Sequence, residues 1–237
     1  MMTKVTSHYY NHIKQLKKLG STNLMKIKIN DTFAFLRPVD ESDETIRLLT
    51  KWRNKYGNWY TTKFQATEVR TRKWLRSQVI NNPDRILFMI ILGNQKIGHI
   101  GIFRNREIDN TADIDNVLRA VRINYHRLME KIIKSMFKWM FDELKLSRIQ
   151  LRVFSDIYKA INLYEGCNML TINTIPLKRV FTIDGWKWNK TKLKKGTNYA
   201  ERYLNIMEIT KESYQSMKRN PIRIIRTREK NSKGRVL

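Results

Sequence analysis

The pattern of hydrophobic and polar residues changes its period several times along the chain, and each change predicts a new element. The longest helical pattern begins at Leu128. Apolar side chains recur from there every three or four residues and form one broad stripe, made of Leu128, Ile132, Ile133, Met136, Phe137, Met140, Phe141 and Leu144. A period near 3.6 places these residues on one side of an α-helix, and a stripe this broad predicts a helix that packs against a sheet.

Patterns typical of strands precede this helix. Residues 86–92 are continuously apolar, which is typical of a strand covered on both faces. After a short polar connection, residues 96–103 alternate between apolar and small or polar positions, so the two segments together predict a β-hairpin. A further alternating strand is expected at 112–118, where Asp113 and Asp115 share one face.

The remaining segments continue the mixture of helices and strands. Further strands are expected at 32–37, 149–153, 170–181 and 200–209, and further helices at 40–56, 67–79 and 157–165. This order predicts an α/β (α+β) domain with a mixed, mostly antiparallel sheet and helices on both faces. We expect the domain at 31–210, between a basic, helical extension at 1–30 and a basic tail at 211–237.

Composition narrows the class of protein. The chain has 237 residues, enough for one domain with a proper core, and a single cysteine, so no intramolecular disulfide can form and a cytoplasmic location is expected. The cysteine and four histidines are too few and too scattered for a structural zinc site, so no metal is expected. The longest apolar run, 86–92, is far shorter than the roughly 20 residues of a membrane-spanning helix.

The chain is strongly basic, with 47 Lys and Arg against 21 Asp and Glu and a net charge of +26. Such a field attracts phosphates of any kind, including nucleic acid, coenzyme A and phosphate-bearing small molecules. Residues 1–30 hold six lysines and no acid, and residues 217–237 hold eight basic residues and one Glu. These ends could bind nucleic acid, although a composition rich in Lys, Ile and Asn gives the same surplus without any anionic partner.

Six short segments follow one another in an order and spacing that carry a family resemblance. They are Leu36-Arg37-Pro38, Trp52-Arg53-Asn54, Ile114-Asp115-Asn116-Val117-Leu118-Arg119, Leu151-Arg152-Val153-Phe154-Ser155-Asp156, Ala160-Ile161-Asn162-Leu163-Tyr164-Glu165 and Glu201-Arg202-Tyr203. Together they resemble the GNAT N-acetyltransferase superfamily, and most of all the members that acetylate amino-sugar nucleotides or ribosomal-protein N-termini. The resemblance spans about 32–209 and implies a seven-stranded sheet.

The resemblance implies acetyl transfer from acetyl-CoA to a primary amine. In the family, the fourth and fifth strands splay apart, the thioester lies between them, and amides at the start of the following helix bind the pyrophosphate. The positions that correspond to cofactor contacts are Leu118, Arg119, Arg122, Asn124, His126, Arg127, Leu128, Phe154 and Ala160. Two positions depart from the family: the loop 122–129 contains no glycine, and Ile157 replaces the asparagine that usually opens the helix after the fifth strand.

The same resemblance assigns catalytic roles. Tyr164 corresponds to the family's tyrosine, which protonates the departing thiolate, and a phenol keeps its proton up to about pH 10. An ordinary core tyrosine is the plainer interpretation. Asp113 or Asp115 could deprotonate the amine or hold its ammonium form, or the two could be solvated acids at a strand edge. His99 is a second candidate base, or a structural histidine.

Trp52, Arg53, Asn54 and His99 would contact the acceptor if the resemblance holds. The positive charge favours a phosphate-bearing acceptor, above all the amine of a nucleotide-linked amino sugar, over a polyamine, which this field would repel. A protein N-terminal amine is the alternative acceptor. Another class of function stays open: a non-catalytic, nucleic-acid-binding protein on a degenerate GNAT scaffold. A homodimer is compatible with either.

Overall fold

The computed structural model describes residues 4–18, 25–105, 110–193 and 199–219. The helices of this described chain are α1 Lys4–Lys18, α2 Asp43–Lys55, α3 Glu68–Leu75, α4 Leu128–Asp142, α5 Tyr158–Glu165 and α6 Lys211–Arg219. Its strands are β1 Met25–Ile29, β2 Thr32–Pro38, β3 Thr62–Phe64, β4 Arg85–Leu92, β5 Gln95–Asn105, β6 Thr111–Arg119, β7 Arg148–Phe154, β8 Leu170–Thr182, β9 Gly185–Lys190 and β10 Arg202–Thr210. A 3-10 turn at Gly57–Trp59 precedes β3, and a π-helical turn at Arg76–Ile80 extends α3.

The ten described strands form one sheet in the order β1-β2-β4-β5-β6-β7-β10-β8-β9-β3. Every neighbouring pair is antiparallel except β6 and β7, which are parallel. The predicted mixed, mostly antiparallel sheet is therefore confirmed. The expected number of seven strands is too low, because β1, β3 and β9 extend the two ends of the sheet. The segment after β8 turns back and pairs with that strand as β9.

The N-terminal segment is packed into the structure. α1 buries Tyr9 and Ile13 in the main core, and the Tyr9 hydroxyl donates to the backbone oxygen of Asp84 at 3.0 Å. β1 pairs with β2 across the turn at residue 30. This hairpin crosses the domain boundary expected at residue 30, and the described part of the basic extension is helical only in α1. Of the basic tail expected from residue 211, the described residues include α6 alone.

The sheet separates two apolar layers. The main core lies on the face covered by α1, α4 and α6, and all eight residues of the predicted α4 stripe are buried there. The opposite face is covered by α2 and α3, whose apolar side chains pack on β4. Along β6, Ala112 and Ile114 face the main core, so the alternating residues Asp113 and Asp115 face the α2/α3 layer. None of the described helices is both long enough and apolar enough to cross a membrane.

Candidate active site

The parallel strands β6 and β7 separate soon after they begin. Residues 111–113 of β6 pair with residues 148–150 of β7, and the pairing then ends. On their other sides the strands stay paired, β6 with β5 as far as Arg119 and β7 with β10 as far as Phe154. Because each strand is held by its other neighbour, a wedge-shaped opening forms in the middle of the sheet. We call it the strand gap.

A β-bulge shapes β6 beside the strand gap. Asn116 and Val117 lie opposite the single residue Ile100 of β5, and Asn116 has a left-handed φ of 49°. His99 Nδ1 lies 2.6 Å from the backbone oxygen of Asn116. Burial lowers the pKa of His99 to about 4, so the ring is neutral and its Nδ1–H donates to that oxygen. His99 therefore holds the bulge, and a pKa this low makes it a weak base near neutral pH.

Asp113 and Asp115 form an enclosed carboxylate pair on the α2/α3 face. Oδ2 of Asp113 accepts a hydrogen bond from Arg152, and Oδ2 of Asp115 lies 3.0 Å from Nη2 of Arg85. Asp113 is 3% exposed, and the side chain of Asp115 is 22% exposed. Burial raises the pKa of both carboxyls against the opposing effect of the arginines, and raises that of Asp115 to about 6. Such a group exchanges a proton close to neutral pH, as a general base must.

The second oxygen of each carboxylate has no hydrogen-bond donor in the part of the chain that the structure describes. Oδ1 of Asp113 and Oδ1 of Asp115 are both inaccessible to solvent. Buried carboxylate oxygens normally accept hydrogen bonds, because desolvation without a donor is costly. Two such oxygens on one face of β6, beside the strand gap, suit a ligand that brings N–H groups.

Gly101 leaves the space that the Asp115 carboxylate occupies. A Cβ at residue 101 would lie 2.6 Å from Oδ1 of Asp115 and 3.0 Å from the backbone oxygen of Ile86. We expect Gly101→Ala to displace Asp115 and to lower the free energy of unfolding by about 1–3 kcal/mol, as overpacking usually does. Urea denaturation measures the change. Gly57→Ala is the control, because a Cβ there meets only Lys63 Cγ at 3.8 Å. If both variants lost the same free energy of unfolding, the close contact between residue 101 and the Asp115 carboxylate would not be the cause.

Tyr164 lies on α5 and packs in the main core, where it is 7% exposed. Burial raises the pKa of its phenol above the ordinary value, so the hydroxyl stays protonated across the neutral range. The main core covers the face of the sheet opposite Asp113 and Asp115. A protonated phenol and a carboxylate pair therefore lie on opposite faces of the sheet, and one ligand would have to pass through the strand gap to contact both.

The loop between β6 and α4 presents cations at the start of a long helix. Its exposed polar residues are Arg119, Arg122, Asn124, His126 and Arg127. Leu128 is buried as the first residue of α4, and the side chain of the preceding residue, Arg127, makes no capping hydrogen bond to this 15-residue helix. An uncapped helix N-terminus offers free N–H groups and partial positive charge, which suit a phosphate. These features favour phosphate binding at this end of α4 although its loop lacks glycine, and contact with the cofactor's pyrophosphate stays a prediction.

Arg127 has the backbone conformation that glycine adopts most easily, with a φ of 56° immediately before α4. We expect Arg127→Gly to raise the free energy of unfolding by roughly 0.5–1 kcal/mol, because a left-handed residue with a Cβ is strained. Loss of the ion pair between Arg127, whose side chain is 58% exposed, and Glu130 offsets only part of this gain. Urea denaturation tests this, and Arg122→Gly, which removes the same charge at a residue without positive φ, should not stabilise. If Arg127→Gly were less stable than the wild type, the backbone at residue 127 would not be strained.

The other expected cofactor contacts lie on both sides of the strand gap. Phe154 ends β7 in a small apolar cluster, with the Arg202 guanidinium 3.5 Å from its ring centroid. Leu118 is buried in the α2/α3 core, and Ala160 packs against the main core. The α5 helix starts after Ile157 without a side-chain cap. Contact of these residues with the cofactor stays a prediction.

The residues expected to contact the acceptor make well-defined contacts within the protein. Trp52 is 4% exposed and packs on the ring of His99. Asn54 hydrogen-bonds through both ends of its amide to the backbone of Ala66, at 3.0 and 2.8 Å. These contacts give Trp52 and Asn54 a role in holding the fold together. Their contact with the acceptor stays a prediction. Arg53 differs, because its Nη1 is buried and has no hydrogen-bond partner among the described residues.

Sequence reasoning missed the two arginines that bind the carboxylate pair. Arg85 opens the apolar strand β4, and Arg152 alternates with the apolar residues of β7. A charged residue in a buried strand is a signal that it has an opposite charge as a partner. The identity of that partner follows only from the order of the strands, since β4 and β7 lie on different sides of β6.

Comparisons with known proteins agree with this architecture. Residues 34–169 match the family described as acetyltransferase (GNAT) domain. No curated protein sequence matches the chain. The spermidine N-acetyltransferase of Vibrio cholerae, in complex with CoA and spermine, is similar at a TM-score of 0.60 and 15% identity, over 77% of this chain and 98% of that one. A probable acetyltransferase of the GNAT family from Chromobacterium violaceum is similar at a TM-score of 0.58 and 13% identity, over 83% of this chain and 92% of that one.

The residues that this family match covers include the parallel pair β6 and β7 and the long helix α4 between them. The chain belongs to the GNAT acetyltransferase family, whose match spans more than half of its residues. It is therefore an acetyltransferase, and its cofactor is acetyl-CoA. Such low identities to the solved structures establish the fold alone and do not identify the acceptor.

Proposed function

We propose that the enzyme acetylates a primary amine, which binds at Asp113 and Asp115 beside the strand gap. The observation that carries the proposal is the pair of buried Oδ1 atoms that lack a hydrogen-bond donor among the described residues. An amine brings the hydrogens that these oxygens need. The arginines contact only the Oδ2 atoms of the two carboxylates, and an amine that reaches the Oδ1 atoms has to displace the side chains that cover them.

Each functional side chain then has a separate task. Asp115 accepts a proton from the ammonium form of the acceptor, and its pKa of about 6 allows it to release that proton to water near neutral pH. Asp113, which is bound to Arg152, orients the same amine. Acetyl-CoA supplies the acetyl group as an activated thioester. Tyr164 holds a proton on its phenol oxygen, on the far side of the strand gap, for the departing sulfur.

The N-terminus of α4 would hold the cofactor's pyrophosphate. Its free amide groups supply hydrogen bonds, and Arg119 and Arg122 are exposed cations in the loop before it. Arginine side chains can bind phosphate through two parallel hydrogen bonds, which compensates for the missing glycines.

For the acceptor itself, we propose the amine of a nucleotide-linked amino sugar. The net charge of +26 favours an acceptor that carries phosphate. A polyamine is the competing acceptor, because the structures similar in fold include spermidine N-acetyltransferases. The same positive field opposes a polyamine, which is itself a cation.

Acetyl transfer to a panel of amines tests this function. Purified protein is mixed with acetyl-CoA and with UDP-glucosamine, glucosamine, spermidine or a peptide with a free N-terminus, and the release of CoA thiol is followed. We expect transfer to at least one of these amines, with the highest kcat/KM for UDP-glucosamine. If acetyl-CoA binds and no amine is acetylated, the proposed role of the carboxylate pair is wrong.

A further inference from the structure

Buried polar atoms without partners are concentrated on one face of the sheet. Among the described residues, six buried side-chain atoms lack a hydrogen-bond partner, and five of them belong to the α2/α3 face: Oδ1 of Asp113, Oδ1 of Asp115, Nε of Arg85, Nη1 of Arg53 and Nε1 of Trp188. Native proteins satisfy nearly all buried polar atoms, so a cluster of this kind indicates a site that a polar ligand completes. Two of the five atoms accept hydrogen bonds and three donate them.

Arg53 is held firmly on this face. Its guanidinium lies 4.0 Å from the ring centroid of Tyr60 and 4.7 Å from that of Phe64, and Nη2 donates to the backbone oxygen of Thr62 at 2.7 Å. Tyr60 is close enough to Asp115 for that carboxylate to contribute to the raised pKa of its phenol. No acid in the described chain forms an ion pair with Arg53. The site therefore contains a partly buried cation that lacks an anion.

Trp188 adds a neutral donor to the same face. Its backbone N–H donates to the oxygen of Thr61 at 2.8 Å, next to the residue that holds Arg53. Its ring centroid lies 6.4 Å from that of Phe154. Phe154 lies two residues after Arg152 on β7 and shares its face, and Arg152 binds Asp113. The indole therefore lies on the same face as the carboxylate pair.

We infer that the acceptor carries, besides its amine, an oxyanion that accepts hydrogen bonds from Arg53 and Trp188. This inference rests on the proposed function and narrows it. The amine hydrogens satisfy the Oδ1 atoms of Asp113 and Asp115, and the oxyanion satisfies Nη1 of Arg53 and Nε1 of Trp188. Phosphate and carboxylate share the required chemistry. A polyamine offers donors and positive charge, so it leaves Arg53 and Trp188 without partners.

Substitution of Trp188 by phenylalanine tests the oxyanion site, because the variant loses one N–H and keeps an aromatic ring. Calorimetric titration of UDP-glucosamine is performed with saturating CoA, so that the cofactor site is filled. We expect Trp188→Phe to weaken binding about tenfold, as loss of a hydrogen bond to a charged group does. Trp186→Phe on the same strand is the control and should change the affinity less than twofold. The wild type, Trp188→Phe and Trp186→Phe carry the same charge, so general attraction of phosphate to the surface is equal in all three.

A second variant covers the case in which Trp188→Phe loses its fold, which thermal denaturation reveals. Arg53→Lys keeps the positive charge but has no Nη1, and it should likewise weaken UDP-glucosamine binding about tenfold. Unchanged affinity in both folded variants would overturn the inference.

Glucosamine, glucosamine 6-phosphate, L-serine and spermidine separate the possible sources of the oxyanion. We expect the phosphate-bearing or carboxylate-bearing amine to have a kcat/KM at least tenfold above those of glucosamine and spermidine. A higher kcat/KM for glucosamine 6-phosphate identifies the oxyanion as a phosphate, and a higher kcat/KM for L-serine identifies it as a carboxylate. Equal or faster acetylation of spermidine or glucosamine would overturn the inference and leave the proposed function intact. If no amine is acetylated, the proposed function fails, and the titrations still test the oxyanion site.

Discussion

Asp115→Asn is expected to lower kcat/KM for amine acetylation by about 10²–10⁴, the range that a general base contributes. The base works in its deprotonated form, and the pKa of Asp115 is about 6. The wild-type kcat/KM should therefore fall about tenfold per pH unit below pH 6 and level off above it. An asparagine cannot titrate, so this acidic limb should be absent from the variant. The measurement is kcat/KM for the acceptor from pH 5 to 9 at saturating acetyl-CoA.

Asp113→Asn is the matched comparison, because Asp113 belongs to the same pair but is bound to Arg152 on the side of β7. It should reduce kcat/KM less and keep the acidic limb near pH 6. Titration of the acceptor amine itself also changes kcat/KM at higher pH. The wild type, Asp113→Asn and Asp115→Asn should all show this second change. If the acidic limb is lost in Asp113→Asn and kept in Asp115→Asn, the base is Asp113. Full activity in both variants would remove the carboxylates from the reaction.

Tyr164→Phe is expected to lower kcat by about 10²-fold or more and to leave acetyl-CoA affinity nearly unchanged. Phenylalanine keeps the aromatic ring that packs in the main core and removes only the acidic hydroxyl. Because burial raises the pKa of Tyr164 above its ordinary value, the wild type should lose no activity through this group up to at least about pH 10. Single-turnover acetyl transfer and calorimetric titration of CoA measure the two quantities.

Tyr158 provides the control for this experiment. It lies on the same helix and is 71% exposed, so Tyr158→Phe should change neither kcat nor CoA binding. A Tyr164→Phe enzyme with wild-type kcat would show that the phenol is an ordinary core side chain. Weaker CoA binding with unchanged kcat would assign Tyr164 to cofactor packing instead of proton transfer.

The charge of the protein and the chemistry of its site act on different scales. The net charge of +26 attracts anionic ligands from a distance, whereas the carboxylate pair would, in the proposed function, bind an amine at contact. A molecule that combines an amine with an oxyanion satisfies both. Under the proposed function, a strongly basic protein with a fold seen in polyamine acetyltransferases would acetylate a different class of amine.

The sequence alone determined the elements and the layers. The 3.6-residue stripe of α4 correctly predicts which residues are buried, because the period of an element fixes the side on which each residue lies. The alternation in β6 correctly separates Asp113 and Asp115 from Ala112 and Ile114, but it does not predict that Asp113 is buried. The seven expected strands are all present, and the family resemblance rests on the order of these same segments.

Tertiary structure decided the chemistry of the site. The partners of Asp113 and Asp115, the left-handed bulge at Asn116 and the cation without an anion at Arg53 depend on which strands and helices lie side by side. Periodicity carries no information about partners from distant segments. The pKa of Asp115 likewise follows from burial beneath other elements, a property that no local pattern contains.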